Sequence, residues 1–389
     1  MLSIRKLFSV ELLLGTGLGL GYLTSLRFFG FIGVSEILIL ISIILLFMRY
    51  WKVFFVYNRG VEGYIKMYIL FVLFFQLPVI TLVTYTLTDY NSSPWYVVSF
   101  IMGGILAFLL IQALQSQEIN FQRLTHYFFY AFIGTNLITF VFFPSLLATS
   151  RYEGGADNPN QLLFYASSLS LLLLLFKKKL AIIGLPIITF IMLKTGSDAY
   201  LLTVFATVLC YFVFLFFFST RIKFSSQFLI FFIAFFIFAF YLINTYSNEL
   251  LEIWLAADEG NVRISLILNG LDVVSMSPIV GWGSGSFSGV TTSFGVSEAH
   301  STPIDLAMQL GIFFVILLYS IMSIAVFIKV IDKEYLVAAF IVAFIISGLF
   351  HFTARHFTFW VEFSIFYSYL FHSHGVRKKY FKGGVRCVE

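Results

Sequence analysis

Residues 199–218 read AYLLTVFATVLCYFVFLFFF, twenty positions without one charged side chain. As an α-helix rising about 1.5 Å per residue, the stretch covers roughly 30 Å, the thickness of a bilayer's hydrocarbon core. The rest of the chain resembles it. Of 389 residues, 60% are hydrophobic, 20% aromatic and only 11% charged, whereas soluble chains run about 45–50% apolar and about 25% charged. Mean hydropathy is +0.96. One core cannot hide that much apolar surface. The composition excludes a cytosolic enzyme, a disulfide scaffold and a disordered chain, and predicts an all-α polytopic membrane protein.

Apolar runs recur at 10–26, 31–48, 64–86, 94–114, 125–148, 160–176, 180–196, 199–218, 227–246, 303–328, 335–352 and 357–373, which predicts about twelve transmembrane helices. The shortest clean run, Leu180 to Leu193, leaves a re-entrant segment open as an alternative. Arg5 and Lys6 precede the first run as in a signal peptide, but no small-residue cleavage site follows, so an uncleaved helix is expected. Glycines 15, 17, 19 and 21 form two i,i+4 pairs on it, a close-packing face. Glu36 and Glu362 are the main charges expected deep within spans. Cys210 lies inside an apolar run and Cys387 in the basic tail, a placement that suits neither a disulfide, a zinc set nor a prenylation box.

The net charge of +5 does not point to nucleic acid, because the basic residues sit in short gaps between apolar runs. Nineteen of the 24 fall in alternate gaps counted from the N-terminus. The other gaps hold five: Arg27, Arg151, Lys194, Arg263 and Arg355. By the positive-inside rule both termini face the cytoplasm. Residues 1–389 then form one membrane domain, with a large periplasmic loop at 247–302 and a basic cytoplasmic tail at 374–389.

That loop carries six acidic residues against Arg263. Asn248 is expected to cap a short helix at 249–257, and Asn261 a second at 262–276, a rod of about 22 Å along the outer surface. Ser277-Pro278 stops it, and residues 281–287 form a Gly-rich turn able to approach a ligand by its backbone. Glu298, His300 and Ser301 stand just before the next span.

Positive charge on the outer face calls for a reason. Arg151, Lys194, Arg263 and Arg355 come from four separate outer segments and can converge on one anion. Bland explanations compete: Arg263 can pair with Asp258 or Glu259, Arg151 with Glu153 or Asp157, and Lys194 can snorkel at a helix end. His351 and His356 are five apart, the wrong spacing for two ligands on one helical face, so a zinc site is not expected. The glycine run lacks the helix and lysine of a nucleotide loop. Polar residues crowd the outer surface rather than mid-membrane, which favours work at the interface over passage through it, with a flippase left open.

Several stretches, in order, resemble the bacterial O-antigen polymerase and O-antigen ligase family of membrane glycosyltransferases. They are Arg151 with Gly155-Ala156-Asp157-Asn158-Pro159-Asn160; Thr195-Gly196-Ser197-Asp198; Asn261-Val262-Arg263; Ser277-Pro278-Ile279-Val280-Gly281-Trp282-Gly283; Ala299-His300-Ser301; and Gln309-Leu310-Gly311. The resemblance covers roughly 145–330. Two positions depart: Asp198 stands where the family has arginine, and Ser301 where it has asparagine. The resemblance implies a GT-C-like helical fold in the bacterial inner membrane and metal-independent glycosyl transfer without a cofactor. The donor is an undecaprenyl-diphosphate-linked oligosaccharide and the acceptor a sugar hydroxyl at the periplasmic face. The expected partners are membrane lipids, a chain-length regulator and a flippase. On this reading Arg151 and Arg263 hold the diphosphate and His300 activates the acceptor. Arg355, Lys194, Asn160 and Ser301 support binding, with Glu298 and Asp157 as reserve bases. Phenylalanine-rich, AT-rich composition leans toward a repeat-unit polymerase; a ligase acting on lipid A core is the alternative.

Overall fold

A computed structural model describes residues 9–24, 27–28, 32–54, 60–88, 94–116, 118–142, 152–156, 159–218, 258–289 and 297–371. Regular structure in these residues is helical, apart from one isolated bridge between Arg27 and Gly33. In chain order the helices are α1 (Val10–Leu20), α2 (Val34–Phe54), α3 (Val61–Leu87), α4 (Pro94–Gln115), α5 (Phe121–Phe142), α6 (Pro159–Phe176) and α7 (Lys178–Lys194). There follow α8 (Asp198–Phe218), α9 (Asp258–Met276), α10 (Thr302–Leu310), α11 (Ile312–Ile331), α12 (Tyr335–Gly348) and α13 (Phe357–Phe371). Among the described residues five stretches are long and apolar enough to cross a membrane: Val61–Leu87, Tyr96–Gln115, Phe121–Phe142, Tyr200–Phe218 and Ile312–Ile331. Large apolar side chains cover the outside of several of these helices, among them Phe75, Leu82, Phe205, Phe212, Phe313 and Phe327. That surface is stable against lipid and not against water. The chain is a multi-pass helical membrane protein.

Within the described residues the helices follow most of the apolar runs, and four features bear on particular expectations. The first run closes after eleven residues, at Gly21, too short to span alone. Its glycines work as a packing surface, but on more than one side. Gly15 and Gly19 lie against Leu124, Tyr127, Phe128 and Ala131 of α5, Gly17 against Ile39 of α2, and Gly21 against Tyr165 of α6. With no hydrophobic drive between helices in lipid, such close approach supplies the dispersion energy that joins them. Second, Glu36 is not deep in a span: it sits in the first turn of α2, paired with Arg27 at 3.1 Å. Glu362 is fully buried in α13, facing Ser168 of α6. Third, the stretch at 180–196 is one continuous helix despite Pro186. Fourth, α9 begins at Asp258, so Asn261 lies inside it and is no cap. The expected span at 227–246, the helix at 249–257 and the tail at 374–389 lie outside the described residues.

Contacts sort the gaps onto two ends of the bundle. At one end the Glu11 side chain accepts from the Asn120 amide (3.1 Å), Arg49 pairs with Glu118, and Gln115 reaches Glu62 (3.3 Å). Glu334 at the same end takes both Lys329 (2.8 Å) and Lys178 (3.8 Å). These gaps are the ones expected to share the lysine- and arginine-rich side. At the opposite end Arg27 meets Glu36, the Tyr152 amide donates to the Lys194 carbonyl (3.0 Å), and Arg355 meets Glu298.

The expected span 303–328 is the element the structure revises most. It is broken at Gly311 into α10 and α11. Helix α10 would leave its last carbonyls bare at membrane depth, where an unmet polar group costs several kcal/mol. The chain at 278–284 meets them. The amides of Trp282 and Gly283 donate to the Met308 (2.7 Å) and Gln309 (3.1 Å) carbonyls, and the Ile312 amide to Pro278 (2.8 Å). Gln76 Nε2 donates to both Leu310 (3.1 Å) and Val280 (2.9 Å) carbonyls. Gln76 closes a π-helical turn, Val72–Gln76, next to Pro78, whose missing N–H loosens the ladder of α3 there. Gln76 lies eleven residues, roughly 16 Å, below the end of α3. The Gly-rich segment is therefore a buried clasp running down beside α3, not a turn presented to a ligand.

Gly311 has φ +84°, and a Cβ there would collide with the Ile279 carbonyl. Gly311→Ala should cost about 1–3 kcal/mol in backbone strain alone. It should lower the thermal unfolding midpoint of the detergent-solubilised protein. Gly134→Ala, in open space on α5, should leave it unchanged or raise it.

Candidate functional site

The site is built where the segment 297–301 enters α10 and the segment 349–356 enters α13. Thr302 stitches the two together. Its amide and hydroxyl donate to the His351 carbonyl (3.0 and 2.5 Å), and its hydroxyl oxygen accepts from the Thr353 amide (2.8 Å). Arg355 is fixed from behind: its carbonyl accepts from Ser99 of α4 (2.9 Å), and the neighbouring Ala354 carbonyl from the Trp360 indole (2.8 Å). Trp360 in turn seats against Gly103, where a Cβ would not fit.

From this frame Arg355 Nη1 meets Glu298 Oε1 at 2.5 Å. Glu298 is buried, while about a third of the arginine side chain stays exposed. A guanidinium has five donors, so this pair leaves others for a ligand. Glu298 is thus an orienting partner of Arg355 in this structure rather than a free carboxylate. The Tyr96 hydroxyl is within hydrogen-bonding reach of Arg355 and Ser286.

His300 stands beside this pair. It is exposed, between buried Ala299 and buried Ser301, with φ +52°. The chain packed behind it removes enough water to pull its imidazole below the usual value near 6.5. Arg263 and Arg355 push the same way, while Glu298 opposes. Arg263, half-buried on α9, is near enough to act on both His300 and His351. Helix α9 packs on this segment, with Gly270 against Ala299 and Ile304, and from there the charge of Arg263 bears on His300 as that of Arg355 does.

His351 and His356 are neutral packing rings. Both pack against Phe164 of α6, at 5.2 and 5.5 Å between ring centres, and His356 also edge-on against Tyr165 (5.8 Å). Burial first, then neighbouring cations, pushes His351 down to about 3 and His356 well below its usual range. Among the described residues no three His, Cys, Asp or Glu side chains group as metal ligands. Arg27 acts on His356, and Tyr165 feels Arg27, Glu36 and Arg355, so the ion pair at the start of α2 belongs to the same end.

Of the other expected residues, one stands apart from this cluster. Lys194 is exposed at the end of α7, its ammonium over the Phe190 ring at 5.9 Å, as a snorkelling lysine would be. Arg151 and Asp157 lie outside the described residues. Asn160 is the second residue of α6, and Asp198 begins α8. Ser301 is buried at the N-cap of α10 without a capping side-chain bond. Asp305 does that work instead. Fully buried, it accepts from the Ala299 amide (2.8 Å) and the Ser301 amide (3.0 Å). The run read as a span from Pro303 hid Asp305; its position in the first turn after Ser301 was the signal of a cap. Tyr96 and Ser99 left no signal in the sequence, since only packing brings α4 here.

No family model matches the chain, and no curated protein matches it.

Arg355→Gln should shift His300 in a defined direction. It removes one cation and releases Glu298 from its ion pair, and both changes favour imidazolium. The protonation midpoint of His300 should therefore rise from below 6.5. The pH dependence of its modification by diethylpyrocarbonate, read by mass spectrometry, measures this; an unmoved midpoint would mean that Arg355 does not act on it.

Proposed function

We propose that the chain is a polysaccharide repeat-unit polymerase of the bacterial inner membrane, moving a glycan from an undecaprenyl-diphosphate carrier to a carrier-linked sugar hydroxyl at the periplasmic face. The observation that supports this best is the convergence of Arg263 and Arg355 on an exposed imidazole biased toward its neutral form. The twelve-helix count, the GT-C-like fold and the cytoplasmic termini belong to this reading, as does the resemblance of 145–330 to the O-antigen polymerase and ligase family.

The chemistry asks for two things that this cluster offers. As the bond from the anomeric carbon to the diphosphate oxygen breaks, its electron pair leaves on the diphosphate. Guanidinium groups stabilise that growing charge, often through two parallel hydrogen bonds. Arg263 and Arg355 serve here, with Arg151 as the expected third contact. The attacking hydroxyl gives its proton to His300, which is available because loss of surrounding water, and then the neighbouring arginines, disfavour its protonated form against the pull of Glu298. Glu298 holds Arg355 and limits repulsion between the cations. An apolar groove of about 500 Å³ between Tyr68, Gln76, Val280 and Phe313 suits the hydrocarbon chain of a carrier.

Arg263→Ala and His300→Ala should each lower long-chain glycan in cells by about 10² or more, with membrane expression unchanged. Normal chain length in both variants removes the transferase reading. Glycan display in a null strain separates the acceptors: loss of a polymerase leaves single repeat units on lipid A core, and loss of a ligase leaves long chains on the carrier. Repeat units retained on the cytoplasmic side would indicate a flippase.

A further inference from the structure

The segment before α10 contains one more device. Ser301 is the N-cap, and in an ordinary capping box a side chain from the first turn reaches back to the N-cap amide alone. Asp305 does this with Oδ2, at 3.0 Å from the Ser301 nitrogen. It does something further with Oδ1, which skips His300 and takes the amide of Ala299 at 2.8 Å. The Asp305 amide closes the arch by donating to the Ser301 carbonyl at 2.8 Å. The second bond adds nothing to the helix, since Ala299 lies two residues outside the cap. Its effect falls on the residue between. With both flanking amides turned inward to one carboxylate, Ala299 and Ser301 are buried, His300 is exposed, and its φ is +52°. Among the described residues only Lys333 shares such a conformation without being glycine, and it lies at the far end of the bundle. A backbone outlier held from both sides by a fully buried carboxylate at the candidate site is a constraint on where one side chain points.

We infer that Asp305 is a positioning residue for His300: its two-oxygen clasp of the Ala299 and Ser301 amides sets the left-handed backbone at His300 and aims the imidazole out of the protein toward the arginine cluster. That the aimed imidazole accepts a proton in glycosyl transfer rests on the proposed function; the clasp itself does not. Asp305 touches no substrate and acts only through His300.

Asp305→Asn is the informative change, because an amide has one acceptor oxygen and its NH2 faces the second backbone amide, so one of the two bonds is lost without loss of volume. The full-length protein in detergent is treated with diethylpyrocarbonate at pH 7, and modification of His300 is read by mass spectrometry relative to His126 at the other end of the bundle. A change of threefold or more in the His300-to-His126 ratio is expected, in protein that elutes as the wild type does. Long-chain glycan in cells should fall by tenfold or more. An unchanged ratio overturns the clasp, whatever the glycan shows. A changed ratio with normal glycan in both Asp305→Asn and His300→Ala upholds the clasp and rejects the transferase reading. Should Asp305→Asn not be recovered folded, Asp305→Glu, longer by one methylene, decides by the same ratio.

Discussion

A lipid interior offers no water to a bare carbonyl, and this constraint governs the part of the protein that matters most. Helix α10 ends at Leu310, beside Gln76 deep in α3, and the chain turns at Gly311 into α11. Such a break is tolerated only where protein groups replace the lost ladder. The amides of Trp282, Gly283 and Ile312 and the side chain of Gln76 do so. The same segment is pinned to α3 through Thr84, which donates to the Trp282 carbonyl at 2.7 Å, and Thr81, which accepts from the Ser284 amide at 2.8 Å. Once α10 is fixed in this way, its N-terminus is fixed too. Thr302 can then hold the 349–356 segment, and Asp305 the arch around His300.

The electrostatics of the candidate site follow from that scaffold. Cations are gathered at one end of the bundle, and their repulsion is managed by residues that look incidental in the sequence. Glu298 neutralises Arg355 at close range while staying out of solvent. His351 and His356 could have added charge, but burial against Phe164 keeps both neutral. What remains exposed is the imidazole of His300 and part of Arg355. Polar groups elsewhere act as links between helices. Tyr22 bridges Thr135 and Asn136 of α5, and Asn136 accepts from Tyr152, tying the 152–156 turn to the same end of the bundle.

Much of this was legible from composition and spacing. Within the described residues most of the apolar runs became helices, because a segment in lipid must satisfy its own backbone and period alone identifies it. The sorting of gaps was legible from lysine and arginine alone, since charge placement reflects a cost that every span feels. The residues Arg263, His300, Arg355 and Glu298 stood out as polar exceptions on an apolar chain; in the structure Glu298 pairs with Arg355, and the charges of Arg263 and Arg355 both bear on His300. Lys194 stood out for the same reason and does not join them, because a lysine at a helix end is already accounted for by snorkelling over Phe190.

The sequence by itself determined a bundle of apolar helices, its two unlike ends, and which charged residues sit at the end opposite the basic gaps. It did so because those properties are sums over local cost, residue by residue, against hydrocarbon or water. Only the tertiary structure decided that the run from Pro303 is broken, that the Gly-rich segment serves the break rather than a ligand, and that Asp305 holds the backbone around His300. Each of these depends on a hydrogen bond between residues far apart or out of step with a helical period: Gln76 with Leu310, Trp282 with Met308, Asp305 across His300 to Ala299. Such pairings have no local signature, since either partner alone reads as an ordinary member of its own helix or loop.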